Sequence, residues 1–341
     1  MTPGIDPAGV TAWFQANVGG VRPPLAIRQI AGGRSNLTYR VTDAAGASWV
    51  LRRPPLHGVL PSAHDMGREH RVISALAGTP VPVPATFGLC QDPAVTGAPF
   101  YVMAYVDGIV PRDEAAVAAG LDEPARARAA DSLVDALVAL HRVDPGQVGL
   151  GQLGHHHGYL ERQLARWQRQ LDQARTRPLP PQVEVHPRLE ANLPAQVGPA
   201  RIVHGDFRLD NVVLSPAGRV LAVLDWELCT LGDPLADVGL LLVYWAEPGD
   251  QTLPLGSAPT VIPGFPGRAA IAEAYATRSG RDLSGLDVYV AFASWKLAVI
   301  LEGVVARHAT GAYGTGDDSW RGFAEVVVQL ADRALELTSR L

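Results

Sequence analysis

The hydrophobic pattern of the chain changes its period once, near residues 105 to 112. Before this point, segments such as "AIRQIAGGRSNLTYRVTD", "SWVLRRPP" and "APFYVMAYVDG" combine strand-like runs with glycine-rich turns. One predicted helix, Ser62 to Gly78, starts at a serine cap and places Val72, Ile73 and Leu76 on one face. The first hundred or so residues therefore predict a small mixed sheet that carries one helix.

After this point the apolar residues recur at the spacing of an α-helix. The helical stripes comprise Leu133, Leu137, Leu140, Leu160, Leu164, Trp167 and Leu171. The proline-rich stretch "RPLPPQVEVHPRLEANLP" is predicted to interrupt the helices. Together the two patterns predict an α+β fold, with a β-rich part at residues 1–105 and a larger, mostly helical part at 106–341.

Composition narrows the class of protein. Of the 341 residues, 47% are hydrophobic and 18% charged, which is typical of a folded globular chain. The formal net charge of -5 argues against a nucleic-acid partner, because binding to phosphates needs a concentrated basic surface. No run approaches the roughly 20 apolar residues of a membrane span, and no basic segment precedes an apolar one at the N-terminus. We therefore expect a cytoplasmic protein without membrane contact.

Carboxylates gather in the segment "VHGDFRLDNVVLSPAGRVLAVLDWE", residues 203 to 227. Two apolar runs joined by a turn at Gly218 predict a hairpin that brings Asn211 near Asp225, with Asp206 just before it. Phosphoryl transfer needs one carboxylate to orient a hydroxyl, and an amide oxygen with a second carboxylate to hold Mg²⁺. The alternative is that these acids only cap turns.

Several motifs along the chain together resemble one protein superfamily. They are "GGRSNLTYRV", "WVLRRPP", "PSAHDMGREHRVISAL", "YVMAYVDG", "VHGDFRLDN", "LDWELCTLGDPLADVGLL" and "FASWKLAVILEGVVARH". The chain is similar to the aminoglycoside phosphotransferase and choline kinase-like superfamily, in particular to kinase-like domains that occur alone in bacteria or fused to acyl-CoA dehydrogenases. This resemblance covers about residues 25 to 330. It implies a two-lobed protein-kinase-like fold, with a small β-rich N-lobe and a larger helical C-lobe.

The resemblance also implies roles for the acidic segment. Asp206 becomes the catalytic base, Asn211 and Asp225 become Mg²⁺ ligands, and His204 orients the loop. Arg208 stands two residues after Asp206, where a protein kinase usually carries a lysine that reaches the transferred phosphate. An exposed arginine in a salt bridge is the alternative for Arg208.

A phosphate-covering loop is predicted at "AGGRSNLTYRV". Gly32 and Gly33 permit a close approach of backbone amides to phosphate, and Ser35 and Asn36 can add donors. On its own the pattern is weak, because Gly-Gly turns are common in proteins.

A kinase-like lobe also needs a cation on the next strand, held by a carboxylate of the helix. Strand alternation allows either Arg52 or Arg53 to face inward, and Arg52 is favoured because Val50 then lies on the adenine side. Glu69 is the predicted carboxylate. Two solvated arginines at a strand edge are the alternative, because arginine does not substitute simply for lysine at a phosphate.

Adenine is expected against "VMAYVDG", with Met103 at the back wall and the backbone of Ala104 and Val106 supplying hydrogen bonds. Without the resemblance, this stretch is an ordinary core strand.

Lys296 is the only lysine among 29 lysines and arginines. It falls on one helix face with Arg307, where both could contact an anionic substrate. A lysine whose amine extends to solvent is an equal alternative.

The predicted function is a kinase that transfers the γ-phosphoryl of ATP to a hydroxyl of a small metabolite, with Mg²⁺ as cofactor and GTP as an alternative donor. A hydroxyacyl-CoA is the acceptor suggested by the resemblance. The segments Tyr159 to Pro194 and Pro248 to Gly267 are expected to shape the acceptor pocket. Three alternatives stay open: a non-catalytic nucleotide-binding protein or scaffold, an aminoglycoside-type phosphotransferase, and a hydrolase that uses water as acceptor. The oligomeric state is not predicted.

Overall fold

The computed structural model describes residues 3–30, 36–56, 65–174, 177–196, 198–250, 257–309 and 321–341. The chain forms two compact units. The N-terminal unit comprises Met1–Gly108 and Leu221–Cys229, and the C-terminal unit comprises Ile109–Val220 and Thr230–Leu341. The predicted boundary between residues 105 and 106 differs from this division, because residues 221–229 return to the N-terminal unit.

The N-terminal unit is built on an antiparallel sheet. Its described elements are α1 (Pro7–Asn17), β1 (Ala26–Gln29), β2 (Leu37–Thr42), β3 (Ser48–Arg53), α2 (Met66–Leu76), β4 (Thr86–Cys90), α3 (Pro93–Thr96) and β5 (Phe100–Ala104). Within the described residues, the five strands are ordered β1-β2-β3-β5-β4. Phe14, Tyr39, Leu51 and Phe100 lie in the core that covers one face of this sheet. The predicted β-rich N-terminal part is confirmed, but two details of the prediction are wrong. The described strands pair antiparallel and do not form a mixed sheet, and α1 and α3 accompany the one predicted helix, α2.

Helix α2 begins later than the sequence predicted. Its cap is Asp65, whose side chain accepts a hydrogen bond from the backbone N–H of Arg68. The predicted cap, Ser62, lies outside the described residues. The predicted apolar face is confirmed, because Val72, Ile73 and Leu76 are buried. Glu69 is buried on the same helix although it is charged.

The C-terminal unit is mostly helical. Its described helices are α4 (Glu114–Gly120), α5 (Glu123–Arg142), α6 (Tyr159–Ala174), α7 (Pro180–Ala191), α8 (Pro234–Tyr244), α9 (Arg268–Ser279), α10 (Leu286–Ala309) and α11 (Arg321–Thr338). The predicted apolar stripes of α5 and α6 are buried, as expected for amphipathic helices. Helix α10 packs against α6, α7, α8 and α11 and is the central helix of this unit. The predicted α+β class is therefore confirmed.

Helix α10 is more apolar than the sequence inspection suggested. Among the described residues, its segment Leu286–His308 has the length and composition of a membrane span, with a mean hydropathy of 1.7. However, 83% of its most apolar 18-residue window is buried. A core helix with neighbours on several sides has the same composition, because it needs no polar face.

One helix occurs where the sequence predicted an interruption. Helix α7 runs through the proline-rich stretch and contains Pro187. Its first residues are Pro180 and Pro181, at positions where the missing N–H groups cost nothing because they have no partner within a helix. Val185 and Leu189 are buried, so packing outweighs the poor helix propensity of the segment.

Short strands and turns carry the acidic segment. Strand β6 (Arg201–Val203) pairs antiparallel with β9 (Thr230–Gly232) and ends directly before His204. A 3₁₀ turn at Leu209–Asn211 leads into β7 (Val212–Leu214), and β8 (Val220–Val223) follows the turn at Gly218. Gly218 has a φ of 81°, and a Cβ atom there would lie 2.1 Å from the carbonyl oxygen of Ala125. The turn therefore requires glycine.

Candidate active site

Arg52 is at the centre of a charged cluster in the N-terminal unit. It lies on β3, and its Nε is 3.0 Å from Oε2 of Glu69 on α2, although without good hydrogen-bond alignment. Its Nη2 forms an ion pair with Oδ1 of Asp225. The neighbouring Arg53 instead donates to the carbonyl oxygens of Gly4 and Thr96. Arg52, and not Arg53, is therefore the arginine that meets the predicted helix carboxylate.

Burial sets the electrostatics of this cluster. The side chains of Arg52 and Glu69 are 10% and 1% exposed. Burial alone would lower the pKa of Arg52, but Asp225 and Glu69 outweigh it and raise that pKa, so the guanidinium stays charged. Burial raises the pKa of Glu69, and Arg52 opposes the rise. The Tyr101 hydroxyl donates to Oε2 of Glu69 at 2.9 Å. Each of these charges therefore depends on the others to remain buried.

Asp225 has an unusual backbone conformation. Its φ of 62° and ψ of 65° lie in the left-handed region. Among the described residues, it is the only non-glycine residue with a positive φ. Aspartate tolerates this region better than most residues, but the conformation still costs free energy. The chain turns sharply here, and Trp226 anchors the turn by donating from Nε1 to the carbonyl oxygen of Val223 at 3.0 Å.

Asn36 and Glu227 form a link that sequence reasoning missed. Asn36 Nδ2 donates to Oε1 of Glu69 at 3.1 Å and to Oε2 of Glu227 at 3.0 Å. Its buried Oδ1 has no hydrogen-bond partner in the part of the chain that the structure describes. The predicted loop residues that precede it, Gly32, Gly33 and Ser35, lie outside the described residues. Glu227 had been given no role, although it stands only two residues after Asp225.

The residues predicted to face adenine lie at the end of β5. Met103 is 7% exposed and is paired with Val50 across the sheet, whereas Ala104 and Val106 are half-buried. The N–H of Ala104 donates to the carbonyl oxygen of Ala85 at 2.8 Å, so this donor is already used within the sheet. The adenine contact of Ala104 would therefore have to involve its carbonyl group.

In the C-terminal unit, Asp206 is fixed through one of its two carboxylate oxygens. Asn211 Nδ2 donates to Oδ2 of Asp206 at 3.0 Å and to its backbone oxygen at 2.9 Å. Arg208 Nε donates to the same Oδ2 at 3.1 Å. No described residue donates a hydrogen bond to Oδ1 of Asp206. The carboxylate is therefore held in one orientation with one oxygen left for another group.

Arg208 is held on several sides. Besides Asp206, it donates from Nη1 to Oδ2 of Asp210 at 2.7 Å, and its guanidinium lies 4.9 Å from the ring centre of Tyr244. Burial alone would lower the pKa of Arg208, but Asp206 and Asp210 raise it. Burial raises the pKa of Asp210, and Arg208 opposes the rise. Arg208 is thus a paired cation beside Asp206 with 17% of its side chain exposed. The salt bridge of the alternative is present, but the expected exposure is not.

Asp237 holds the backbone that precedes Asp206. Its Oδ2 accepts from the N–H of His204 at 2.7 Å, and its Oδ1 accepts from the N–H of Gly205 at 2.8 Å. His141 Nε2 lies 3.2 Å from Oδ2. Burial would raise the pKa of Asp237, but the His141 hydrogen bond and the backbone donor lower it below its usual range. His141 and Asp237 are 96 positions apart, so no local pattern in the sequence indicates this link to the loop.

His204 and Lys296 also contact this loop. The ring of His204 is fully buried, and its Nδ1 lies 3.2 Å from the N–H of Asp206. Lys296 donates from Nζ to the carbonyl oxygen of Gly205 at 3.1 Å. Because Lys296 is only 9% exposed, the alternative of a lysine extending to solvent is wrong. Arg307, its predicted companion on α10, is exposed.

Comparison with known proteins identifies the family. The model of the APH family, described as the phosphotransferase enzyme family, matches residues 26–289. The chain belongs to the APH family of phosphotransferases. It is 36% identical over 325 residues to acyl-CoA dehydrogenase family member 11 of Gallus gallus, an alignment that covers 93% of this chain and 41% of that protein. The chain thus spans about two fifths of the length of that relative. The predicted resemblance is confirmed.

Solved structures of phosphotransferases share the fold. A Ralstonia eutropha protein provisionally named an aminoglycoside phosphotransferase is 32% identical, with a TM-score of 0.81 and 98% coverage of both chains. Aminoglycoside 2'-phosphotransferase-IIIa, solved with GDP, is 14% identical with a TM-score of 0.62, covering 96% of this chain and 99% of that one. An ADP-bound aminoglycoside phosphotransferase, APH(2'')-Ib, is also 14% identical, with a TM-score of 0.61 and coverages of 98% and 99%. These similarities confirm the predicted kinase-like fold.

The two predicted magnesium ligands can each be described within its own unit. In the C-terminal unit, Nδ2 of Asn211 donates to a carboxylate, which only accepts, so the amide orientation is settled and Oδ1 would be the atom offered to a metal ion. In the N-terminal unit, Asp225 would offer a carboxylate oxygen. The described residues contain no cluster of three or more His, Cys, Asp or Glu suited to a metal. Mg²⁺ does not need one, since it commonly takes one or two protein ligands together with phosphate oxygens and water.

A small cavity of about 30 Å³ lies beside Arg208 within the C-terminal unit. Its wall includes Arg112, Asp210, Tyr244 and Ser257. Ser257 belongs to the segment predicted to shape the acceptor pocket, of which residues 251–256 lie outside the described residues. The cavity lies next to Arg208, which donates to Asp206, and its volume suits about one or two water molecules.

Proposed function

We propose that this phosphotransferase is a small-molecule kinase that transfers the γ-phosphoryl group of ATP to a hydroxyl of a metabolite. The observation that carries the proposal is the state of the Asp206 carboxylate. Asn211 and Arg208 fix Oδ2, whereas Oδ1 receives no hydrogen bond from a described residue. A general base needs this combination of a fixed orientation and one oxygen within reach of the substrate proton.

In the proposed reaction the acceptor hydroxyl donates a hydrogen bond to Oδ1 of Asp206. The hydroxyl oxygen attacks the γ-phosphorus while the bond from that phosphorus to the β–γ bridging oxygen breaks. Asp206 takes the hydroxyl proton, and ADP leaves with the bridging oxygen. Arg208, whose Nε lies 3.1 Å from Oδ2 of Asp206, helps to hold the carboxylate in the orientation that accepts this proton. Binding and alignment of the two substrates, together with stabilisation of the phosphate charge, would supply most of the rate enhancement, as in other phosphoryl transfers.

In the N-terminal unit, Arg52 supplies the cation proposed to contact the nucleotide phosphates, and Glu69 holds it. Magnesium bound by Asn211 and Asp225 would neutralise negative charge on the phosphates. Asn36 directly precedes β2 and has a fixed amide, and its link to Glu227 supports a role in anchoring the predicted phosphate-covering loop. GTP remains a donor to test beside ATP, because one structural relative was solved with GDP.

The acceptor proposed for the first test is a hydroxyacyl-CoA. The support is that the curated relatives are named as acyl-CoA dehydrogenases, and this chain matches about two fifths of their length. A kinase region joined to such an enzyme would share its thioester substrates. Polycationic aminoglycosides are less suited, because the cavity beside Arg208 is lined by two arginines, Arg112 and Arg208, against the single acid Asp210. Because the reaction needs ATP, we propose the cytoplasm as its location.

The test is phosphoryl transfer to a panel of acyl-CoA esters in which the position of the hydroxyl and the chain length vary. Acyl-CoA esters without a hydroxyl are the negative control, and kanamycin represents the aminoglycosides. Mass spectrometry should detect a phosphorylated hydroxyacyl-CoA, and Asp206→Asn should lower the rate by about 100-fold or more. Phosphorylated kanamycin with no acyl-CoA product would refute the acceptor, and an unchanged rate in Asp206→Asn would refute the mechanism.

The ion pair between Arg52 and Asp225 favours a second candidate, a nucleotide-binding protein without kinase activity. An arginine paired with the proposed magnesium ligand competes with the ion for that carboxylate. Calorimetric titration of ATP with and without Mg²⁺ separates the two candidates. Binding that requires Mg²⁺ and is lost in Asp225→Ala supports the kinase, whereas equal binding without Mg²⁺ supports the second candidate.

A further inference from the structure

The peptide group that joins Gly205 to Asp206 is held at both of its polar atoms. Its carbonyl oxygen accepts from Nζ of Lys296 at 3.1 Å. Its N–H donates to Nδ1 of His204 at 3.2 Å. Because the peptide group is planar, fixing these two atoms fixes the plane and hence the direction in which the Asp206 side chain leaves the backbone.

Glycine at position 205 makes this restraint necessary. Gly205 has a φ of 84°, in the left-handed region where glycine has little preference for one conformation. Its own N–H donates to Asp237 at 2.8 Å, which restrains the preceding peptide group but not the following one. Rotation about the bond between Cα and the carbonyl carbon of Gly205 would turn Asp206 away without breaking the bond to Asp237. Lys296 and His204 oppose this rotation at the peptide group itself, whereas Asn211 and Arg208 hold the Asp206 residue beyond it.

Lys296 is placed for this contact by buried packing. It projects from α10, and its Nζ lies 5.5 Å from the ring centre of Trp167 on α6. Burial lowers the pKa of Lys296, while Asp206 and Asp237 oppose the decrease. A compact ammonium group can donate to one carbonyl oxygen and also lie over an indole ring. The chain uses lysine only at this position among its 29 lysines and arginines.

We propose that Lys296 is a positioning residue: it holds the Gly205–Asp206 peptide so that Oδ1 of Asp206 stays directed at the acceptor hydroxyl. The expected effect of Lys296 on the reaction rate rests on the proposed function. The effect of Lys296 on the backbone of Gly205 and Asp206 can be measured without any activity. It replaces the expectation that Lys296 contacts an anionic substrate, because the amine is already engaged with the protein backbone.

The experiment compares Lys296→Met, which removes the donor, with Lys296→Arg, which keeps a charged donor. Ser294→Ala is the matched control, because Ser294 is buried on the same helix and bonds only to Val290 of that helix. Hydrogen exchange at the amide of Asp206 should accelerate by about tenfold in Lys296→Met, the factor expected from the loss of one charged hydrogen bond. Exchange within α10 should stay as in Ser294→Ala.

Steady-state kinetics distinguish a positioning role from a purely structural one, because only a positioning role predicts a lower kcat with an unchanged KM for ATP. In Lys296→Met the kcat should fall by about 100-fold, because a small misplacement of a reacting group has this effect. The KM for ATP should change by less than about twofold, since the nucleotide contacts remain. Lys296→Arg should retain more of the kcat than Lys296→Met. An unchanged kcat in Lys296→Met, or a change in KM alone, overturns the proposal.

Two further outcomes keep the inference separate from the proposed function. If the wild-type protein phosphorylates no acceptor, the proposed function fails, and exchange at Asp206 still decides whether Lys296 restrains the loop. If Lys296→Met does not fold, the wild-type protein labelled with ¹³C at lysine Cε gives a single lysine signal whose relaxation reports the mobility of the side chain. The fast relaxation of a freely rotating side chain would place the amine in solvent and overturn the proposal.

Discussion

Replacing Arg52 with methionine should destabilise the N-terminal unit, because it leaves two carboxylates without their cation. Glu69 is 1% exposed and loses the guanidinium 3.0 Å away, and Asp225 loses its ion pair. Removal of one partner from a buried ion pair typically costs about 3–5 kcal/mol. Glu69 keeps its hydrogen bonds from Tyr101 and Asn36, so we expect the lower end, about 3 kcal/mol. For a unit of this size the loss corresponds to roughly 10 °C in Tm.

The pH dependence of this loss identifies its cause. Burial already raises the pKa of Glu69, and without Arg52 this pKa must rise further. A carboxyl group whose folded pKa is raised binds its proton more readily in the folded state, so the variant gains stability relative to wild type as pH falls. Thermal unfolding should therefore show a gap between wild type and Arg52→Met that is large at pH 8 and smaller at pH 5.

The double variant Arg52→Met with Glu69→Gln tests whether the unpaired charge of Glu69 causes the loss of stability. It removes the buried charge as well as its partner, so it should be more stable than Arg52→Met alone at pH 8. The control is Arg40→Met, on the neighbouring strand β2, because Arg40 is exposed and should cost well under about 1 kcal/mol. If Arg52→Met costs no more than Arg40→Met, or if adding Glu69→Gln brings no recovery, Arg52 does not compensate a buried Glu69.

Two further predictions concern the C-terminal unit. Asp237→Asn should reduce stability by about 2 kcal/mol at pH 7, because an amide has one oxygen for the two N–H donors of His204 and Gly205. Because the folded-state pKa of Asp237 is lowered, this residue stabilises the protein at pH values above the ordinary pKa of aspartate. That stabilisation is lost as the pH falls through the folded-state pKa. The free energies of unfolding of wild type and Asp237→Asn should therefore converge in acid. Gly218→Ala should cost more than Gly46→Ala in urea unfolding, because both glycines have a positive φ but only Gly218 would place a Cβ against a backbone oxygen. Equal losses for the two glycines would mean that the contact with Ala125 relaxes freely.

The parts of the site that sequence could predict are local along the chain. Asp206 and Asn211 are five residues apart, and one hydrogen bond joins their side chains, as the spacing suggested. The choice of Arg52 over Arg53 followed from strand alternation, and the structure directs the two side chains to different partners. Short-range geometry of this kind needs only the period of a strand or a turn.

The parts that sequence could not predict depend on contacts between distant residues. Asn36 and Glu227 are separated by 191 positions, His141 and Asp237 by 96, and Lys296 and Gly205 by 91. No periodicity encodes such pairs. Local sequence signals also failed at two helices. Packing stabilises a helix that runs through Pro187, where proline predicted an interruption. Helix α2 is capped by Asp65 instead of the predicted Ser62.

This difference follows from how the C-terminal unit builds its proposed catalytic loop. The side chains with proposed catalytic roles come from one short segment, so their types and spacing are visible in the sequence. The backbone of that segment is held from outside it: Asp237 binds the N–H groups of His204 and Gly205, and Lys296 binds the carbonyl oxygen of Gly205. Because the backbone sets the direction of a carboxylate, these distant groups belong to the proposed mechanism as much as the motif does. An intact motif is therefore insufficient evidence of activity in a relative that lacks the residues corresponding to Asp237 and Lys296.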